Sequence, residues 1–259
     1  MQADRIVLCM KWGALYPASY VNVLYSAVSR NITGPFRFVC LTNEPQGLAE
    51  GIECFALPDL GLDQQYYDHG AWPKLGALQK NLYGLTGRCL FIDLDSVILQ
   101  SLDPFFERTG HFISIAGGPD WGPGKPNPNP HMATGVFAFD LGTLDYVFDA
   151  FMADKQAGLD SVQNEQQFIQ KWVREWTTWQ NDWVISFKRH LRQPVLLDRI
   201  LPPRRPDENA RILAFHGDPR PIEVVRSGRK SWARFPRYGR GPVDWIRAYW
   251  LENGYDDKS

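Results

Sequence analysis

The sequence predicts an α/β protein in which helices flank a mixed, mostly parallel sheet. Short apolar runs, typical of buried strands, alternate with segments whose apolar residues recur every three to four positions, the period of a helix that covers a core. A chain of 259 residues can build one large core, so a single domain is the simplest arrangement. Apolar residues make up 44% of the chain, which excludes disorder over most of its length.

The predicted strands are the apolar runs at 5–10, 36–41, 52–57, 89–93, 112–116, 135–140, 195–198 and 212–215. Helical periodicity marks 18–30, 73–84, 143–155, 161–174 and 243–253. The proline- and glycine-rich stretch 117–131 predicts a loop directly after a strand, where open α/β sheets collect ligands. Residues 199–211 predict a rigid, basic connector.

Membrane segments and disulfides are not expected. No apolar run approaches the ~20 residues of a membrane helix, and the N-terminus lacks the layout of a signal peptide. We therefore expect a cytoplasmic protein. The four cysteines, at 9, 40, 54 and 89, have no CxxC spacing and predict free, buried thiols.

The net charge of −1 conceals a basic segment. Residues 199–240 contain ten arginines and Lys230 against four acids, about +7 in total. Such a segment suits phosphate groups or peripheral contact with an anionic membrane at its inner face, and it could equally be a solvated surface. Nucleic-acid binding is not expected, because no recognition module is present.

The stretch RCLFIDLDSVILQ (88–100) places two acids directly after a buried strand. In extended backbone Asp93 and Asp95 point to the same side, so both can approach one Mg²⁺ or Mn²⁺. Such a cation can bridge the phosphates of a nucleoside diphosphate. The alternative is a turn at the sheet edge whose two carboxylates face water.

FIDLDSVILQSLDPFF (91–106) resembles the Asp-x-Asp core of GT-A glycosyltransferases, above all family 8 and its relatives. Three more stretches resemble family motifs in the same order, namely MATGVFAFDLGTLD (132–145), NEQQFIQKW (164–172) and FHGDPRP (215–221). The resemblance implies a Rossmann-like GT-A catalytic domain over 1–222. Residues 223–259 would form a basic, helical extension packed on the same domain.

The resemblance also implies a donor site. His216 would complete a metal site with Asp93 and Asp95, and Arg220 would hold the diphosphate, beside Gly217 and Leu94. Lys11, Trp12 and Tyr16 would contact the nucleotide, and Lys74 would lie near its phosphates. Two departures from the family pattern are the direct adjacency of His216 to Gly217 and Ala133 in place of an asparagine.

For the reaction, the resemblance implies that Glu165 binds hydroxyls of the transferred sugar and that Gln166 lies near the anomeric carbon. Family 8 enzymes retain the anomeric configuration. An inverting enzyme would need a carboxylate base, for which Asp182 and Asp120 are candidates.

We therefore expect a glycosyltransferase that uses a UDP-sugar and Mn²⁺ or Mg²⁺, and whose acceptor is a glycan or a lipid-linked saccharide. Two alternatives are a non-catalytic nucleotide-sugar-binding protein and a sugar nucleotidyltransferase. The latter would need a glycine-rich triphosphate loop, which KWGALYP (11–17) does not provide. The donor sugar, the linkage and the oligomeric state stay open.

Overall fold

A seven-stranded sheet runs through the computed structural model, which describes residues 4–68, 70–124, 126–226, 231–233, 235–239 and 241–256. The strands are β1 (Arg5–Lys11), β2 (Arg37–Thr42), β3 (Glu53–Phe55), β4 (Arg88–Ile92), β5 (Ser96–Ile98), β6 (Phe112–Gly117), β7 (His131–Asp140), β8 (Thr177–Thr178), β9 (Val184–Ser186) and β10 (Ile212–Ala214). The α-helices are α1 (Ala18–Arg30), α2 (Gln64–Asp68), α3 (Asp103–Glu107), α4 (Asp145–Ala153), α5 (Lys155–Asp160), α6 (Glu165–Trp172), α7 (Pro221–Val225) and α8 (Asp244–Glu252). The 3-10 helices are Trp72–Leu78 and Leu197–Arg199, and a π-helical turn covers Phe187–Leu191.

The strand order of the large sheet is β3-β2-β1-β4-β7-β6-β8, and a small sheet has the order β5-β10-β9. In the large sheet only β7 runs against its neighbours β4 and β6, while the other pairs are parallel. The predicted α/β class with a mixed, mostly parallel sheet is therefore confirmed.

Helices cover both faces of the sheet. Side chains of β1 alternate, so Val7 and Cys9 pack with α1 and the small sheet on one face. Ile6 and Leu8 pack on the other face with α4, α6 and the 3-10 helix Trp72–Leu78. This double cover explains why the central strands are apolar without alternation.

Two predicted elements are wrong. Residues 195–198 form no strand but lead into the 3-10 turn Leu197–Arg199, with Leu196 at a φ of +80°. Residues 73–84 were expected to form one α-helix, but a 3-10 helix ends there at Leu78. The close approach of Pro58 to Gly76 fits this tight turn, since a Cβ on Gly76 would lie 2.7 Å from Pro58 Cβ.

The loop expected at 117–131 is confirmed between β6 and β7, apart from Lys125, which lies outside the described residues. All four cysteines are free as expected; Cys54 alone among them is exposed rather than buried. Among the helices that the structure describes, none is both long and apolar enough to cross a bilayer.

The C-terminal helices pack on the main core. Val224, Ile246 and Trp250 belong to the same buried cluster as Tyr20 of α1. The boundary expected between 222 and 223 falls within α7. Of the basic segment, Arg229, Lys230, Arg234 and Arg240 lie outside the described residues.

Candidate active site

The carboxyl end of β4 gathers the motifs that are distant in sequence. The backbone N–H of Asp93 donates to the carbonyl of Gly135 on β7 at 2.8 Å. The carbonyl of Asp95 accepts from the N–H of Phe215, directly after β10, at 3.1 Å. These two bonds fix the Asp-x-Asp turn between the large and the small sheet.

Lys74 is the central cation of the site. It lies in the 3-10 helix Trp72–Leu78 and is 4% exposed. Its Nζ is 2.7 Å from Asp93 Oδ2 and donates to the carbonyl of Thr134 at 3.1 Å. Burial disfavours its charge, but the carboxylates of Asp93 and Glu165 outweigh burial and raise the pKa of Lys74.

Thr134 links Lys74 to the start of α6. Its buried hydroxyl donates to Glu165 Oε1 at 3.0 Å, and its backbone N–H donates to Gln166 Oε1 at 3.0 Å. Sequence reasoning missed Thr134, whose position between Ala133 and Gly135 in a strand carries no chemical signal. Glu165 and Gln166 are thereby held against β7, next to the Asp-x-Asp turn.

Removal from water disfavours the charged forms of the two acids in the Asp-x-Asp turn. Tyr16 donates its hydroxyl proton to Asp95 Oδ2 at 2.9 Å. Burial, and then the charge of Asp93, raise the pKa of Asp95 to about 7. Burial also raises the pKa of Asp93, although Lys74 opposes this shift. One buried and one half-buried hard carboxylate that repel each other are a donor set that suits a divalent cation.

A cavity of about 560 Å³ opens beside these acids. Eight of the residues predicted to bind the donor line it, namely Trp12, Tyr16, Lys74, Asp93, Leu94, Asp95, Gly217 and Arg220. The cavity wall also includes Tyr67, whose carbonyl accepts the indole N–H of Trp12 at 2.8 Å. Sequence reasoning also missed Tyr67, since it lies in the short helix α2, which the apolar pattern does not reveal.

Lys11 lies apart from this cavity. Its ammonium is 2.6 Å from Glu44 Oε2, and it lines an adjoining cavity of about 480 Å³. Trp12 lines both cavities. Gly13 and Tyr67 also line both, so these three residues form the wall that the two spaces share.

The imidazole of His216 is bonded to a serine and not to either of the two acids. Its Nε2 is 3.1 Å from Ser186 Oγ, and its ring meets Trp121 edge to face. Burial and the nearby Lys188 lower the pKa of His216 to about 4, so the imidazole is neutral at pH 7. Within the described residues, no three His, Cys, Asp or Glu side chains gather as a metal site. Of the three predicted metal ligands, Asp93 and Asp95 line the cavity, whereas His216 is bonded to Ser186.

Comparison with known proteins gives fold relatives only. No family model and no curated protein sequence matches the chain. The galactosyltransferase LgtC, solved with donor and acceptor sugar analogues, matches at a TM-score of 0.58 and 12% identity over 97% of each chain. This chain has the GT-A fold.

Two further GT-A structures match over part of their length. The glycosyltransferase GlyE of Streptococcus pneumoniae TIGR4 matches at a TM-score of 0.58 and 12% identity, over 98% of this chain and 61% of GlyE. The bifunctional glycosyltransferase WbbM matches at 0.58 and 11% identity, over 97% of this chain and 49% of WbbM. Membership of family 8 stays a prediction.

Asp182, one candidate for a catalytic base, lies elsewhere on the GT-A fold. It lines a second cavity of about 320 Å³, together with Gly122, His190, Arg204 and Arg205. Asp120 is exposed on the loop between β6 and β7 and is absent from the lining of either cavity. Trp121 contacts the ring of His190, which lines this cavity, and the ring of His216, whose neighbour Gly217 lines the 560 Å³ cavity. Its indole therefore lies between the two histidines at the cavity edges.

Proposed function

We propose that this protein is a glycosyltransferase that moves a sugar from a nucleotide-diphosphate sugar, expected to be a UDP-sugar, to a hydroxyl acceptor. The observation that carries the proposal is the pair Asp93 and Asp95 at the carboxyl end of β4, opening onto a 560 Å³ cavity of a GT-A fold. Ligands of open α/β sheets bind at this end of the strands.

The cavity offers a separate group to each part of such a donor. The aromatic side chains of Trp12, Tyr16 and Tyr67 suit stacking and hydrogen bonding with the nucleoside. The guanidinium of Arg220 suits a bidentate grip on the diphosphate. Mn²⁺ or Mg²⁺, held by the carboxylates of Asp93 and Asp95, would offset the charge that develops on the departing diphosphate.

The transferred sugar belongs beside α6. Glu165 is 4% exposed, and its Oε1 accepts from Thr134. The Oε1 of Gln166 accepts the N–H of Thr134, so its Nε2 remains a donor for a sugar or acceptor oxygen. We assign sugar hydroxyls to Glu165 and the anomeric region to Gln166, with retention of configuration. An inverting reaction would instead need Asp182 to reach an acceptor hydroxyl.

The acceptor, a glycan or a lipid-linked saccharide, is assigned to the second cavity. Arg204, Arg205 and Asn181 give this cavity several hydrogen-bond donors. Its wall includes the loop between β6 and β7, which follows a sheet strand directly.

One observation favours a second candidate, a nucleotide-sugar-binding protein without transferase activity. Lys74 already neutralises Asp93, and His216 is bonded to Ser186 rather than to a carboxylate. A protein cation at this place could bind a diphosphate without supporting its departure. Turnover, rather than binding, separates the two candidates.

Asp95→Asn is the decisive variant. In wild-type protein, UDP with Mn²⁺ is expected to raise the melting temperature, because a ligand of the native state stabilises it. Asp95→Asn should abolish that rise without lowering the melting temperature of the free protein, because the amide removes a buried charge and can still accept from Tyr16. Asp149→Asn, on the exposed side of α4, is the matched control.

The second measurement is release of UDP from a panel of UDP-sugars with Mn²⁺, in the presence and absence of saccharide acceptors. Turnover by the wild type that Asp95→Asn loses supports the transferase. Binding of UDP without any turnover supports the binding protein. No response to any nucleotide would reject both candidates.

A further inference from the structure

An aliphatic loop, residues 195–201, projects into solvent near the second cavity. Five of the eleven large apolar side chains that are exposed in the described residues lie in it, namely Val195, Leu196, Leu197, Ile200 and Leu201. Ile200 is 79% exposed, as fully as any of them. Single exposed apolar residues are ordinary, but five within seven positions form a patch of the kind that marks an interaction surface.

In the aliphatic loop the apolar side chains face solvent, whereas the acid is buried. Asp198, its one acid, is turned inward and is 6% exposed. The Asp198 carboxylate accepts from Arg192 Nη2 and from the N–H of Tyr238, each at 3.2 Å. The side chain of Gln193 donates to the carbonyl of Pro202 at 2.9 Å and closes the base of the loop. Polar bonds beneath the loop thus hold its aliphatic residues outward.

The backbone supports this presentation. Leu196 has a φ of +80°, in the left-handed region that disfavours a residue with a Cβ. A leucine in this conformation persists only where the surrounding bonds impose it, and such positions cluster at binding sites. Here the result is a leucine side chain that is 58% exposed.

The patch continues into a neighbouring aromatic side chain. The guanidinium of Arg199 lies 3.9 Å from the ring centre of Tyr238. Phe235 meets Tyr238 edge to face at 6.4 Å and is 79% exposed. Phe235 therefore extends the apolar surface of the aliphatic loop.

Positive charge borders the loop. Arg199, Arg204 and Arg205 are exposed, and among the described residues no carboxylate forms a salt bridge with any of them. Asp207 and Glu208 follow in the chain, while Asp198 is already occupied by Arg192. The border of the patch therefore has arginines that no described carboxylate neutralises, and their guanidinium groups suit phosphate groups.

We propose that the aliphatic loop, together with Phe235, Arg204 and Arg205, docks this protein on the surface of an anionic lipid bilayer. Aliphatic side chains would enter the boundary of the acyl chains, and the arginines would contact lipid phosphates. A second copy of the chain fits less well, because a two-fold contact through this patch would bring the arginines of both copies together.

The test is flotation of the full chain with vesicles of phosphatidylcholine, with and without phosphatidylglycerol. We expect binding only to the anionic vesicles, weakened by salt. Replacing Ile200→Ser together with Leu201→Ser should weaken binding roughly tenfold or more, since both side chains would otherwise be buried in lipid. Arg204→Gln and Arg205→Gln should each weaken it roughly fivefold.

Met152→Ser is the matched control, because Met152 is an exposed apolar residue on α4, over the opposite face of the sheet. It should bind vesicles as the wild type does. All of these side chains are exposed, so the melting temperatures should agree, which separates lost docking from lost folding.

Three results would overturn the proposal. They are no binding to anionic vesicles, binding that Ile200→Ser with Leu201→Ser leaves unchanged, and a dimer in solution that the serine variant dissolves without any vesicle binding. The assay contains no nucleotide sugar, so its outcome is independent of the proposed transferase activity. If both proposals hold, the arginines shared by the loop border and the second cavity would bring that cavity to a lipid-linked acceptor.

Discussion

Two charged regions of this chain are built in opposite ways. At the carboxyl end of β4, Lys74, Asp93 and Glu165 are held in a continuous set of hydrogen bonds through Thr134. Around the aliphatic loop, arginines and large apolar side chains are exposed together. The hydrogen-bonded network holds its polar groups in fixed positions, which suits a small polar ligand. The exposed arginines and apolar side chains form a broad surface, which suits a partner that is itself deformable.

This difference determines what a substitution costs. Removing a charge from the buried network leaves its partners unpaired in a low dielectric, which lowers stability as well as binding. Removing an exposed arginine lowers only binding, because water already solvates its neighbours. Variants that break the hydrogen bonds among Lys74, Asp93, Thr134 and Glu165 should therefore change both quantities, and variants around the aliphatic loop only binding.

Lys74→Met should have the largest effect. It leaves the half-buried carboxylate of Asp93 and the buried carboxylate of Glu165 without their cation, which we expect to lower the free energy of unfolding by about 3 kcal/mol at pH 8. Urea unfolding measures this loss, and Lys80→Met, whose side chain is 83% exposed, is the control. A loss below about 1 kcal/mol would mean that the two acids take up protons instead. Removal of a charge would then cost as little stability in the buried network as around the aliphatic loop.

Arg220→Ala tests a residue of the donor cavity that forms no described salt bridge. Losing a charge-assisted bond of about 1.5–3 kcal/mol should weaken UDP binding roughly tenfold to a hundredfold. Free sugar should bind as before. Calorimetric titration measures both, with the exposed Arg226→Ala as control. Equal losses for UDP and sugar would remove Arg220 from the diphosphate site.

Thr134→Val should have a smaller effect, confined to Glu165. The substitution keeps the shape of the side chain but removes the hydroxyl that donates to Glu165 Oε1, at a cost of about 1–2 kcal/mol in stability. Turnover should fall more than donor binding, because the carboxylate that we assign to the sugar hydroxyls loses its orientation while Lys74 keeps its bond to the backbone carbonyl. Thr134→Ser retains the hydroxyl and should restore both. Equal loss in the serine variant would point to packing instead.

The sheet could be predicted because its evidence is local. The apolar runs of β1 and β4 are continuous and are bounded by polar residues, so buried strands follow directly. The run 195–198 has the same composition and forms no strand, because Asp198 is drawn inward by Arg192 and Tyr238 from elsewhere in the chain. The composition of the run does not reveal these hydrogen bonds to Arg192 and Tyr238.

The candidate site divides along the same line. Asp93 and Asp95 could be predicted because two acids after a buried strand are costly without a cation. Thr134 could not, since its role depends on a 3-10 helix and on α6 meeting at one strand. Asp182 is a candidate base by residue type alone, and only the fold shows that it lines the second cavity and not the cavity beside Asp93 and Asp95. Residue type predicts chemistry, whereas proximity depends on long-range packing.

His190, between the two regions, should show the smallest effect. Its Nδ1 accepts the N–H of Ser186 at 3.1 Å, and Arg189, Asp207 and the ring of Trp121 lie around it. Burial, and then Arg189, lower the pKa of His190 below its ordinary value. The unfolded chain therefore binds the proton more readily, so the neutral imidazole contributes stability above about pH 6.5 that is lost as the pH falls toward the folded pKa.

His190→Asn removes this titration and keeps an acceptor near the position of Nδ1. The melting temperature of the wild type should therefore fall more between pH 7 and pH 5 than that of the variant. His111→Asn is the control, because His111 lies directly before β6, where its ring stacks on Tyr146 of α4, and it does not line the second cavity. If the melting temperatures of His190→Asn and the wild type fall by the same amount, His190 binds a proton as readily in the folded protein as in the unfolded chain. Burial at Asp93 and Glu165 would then not extend to the second cavity.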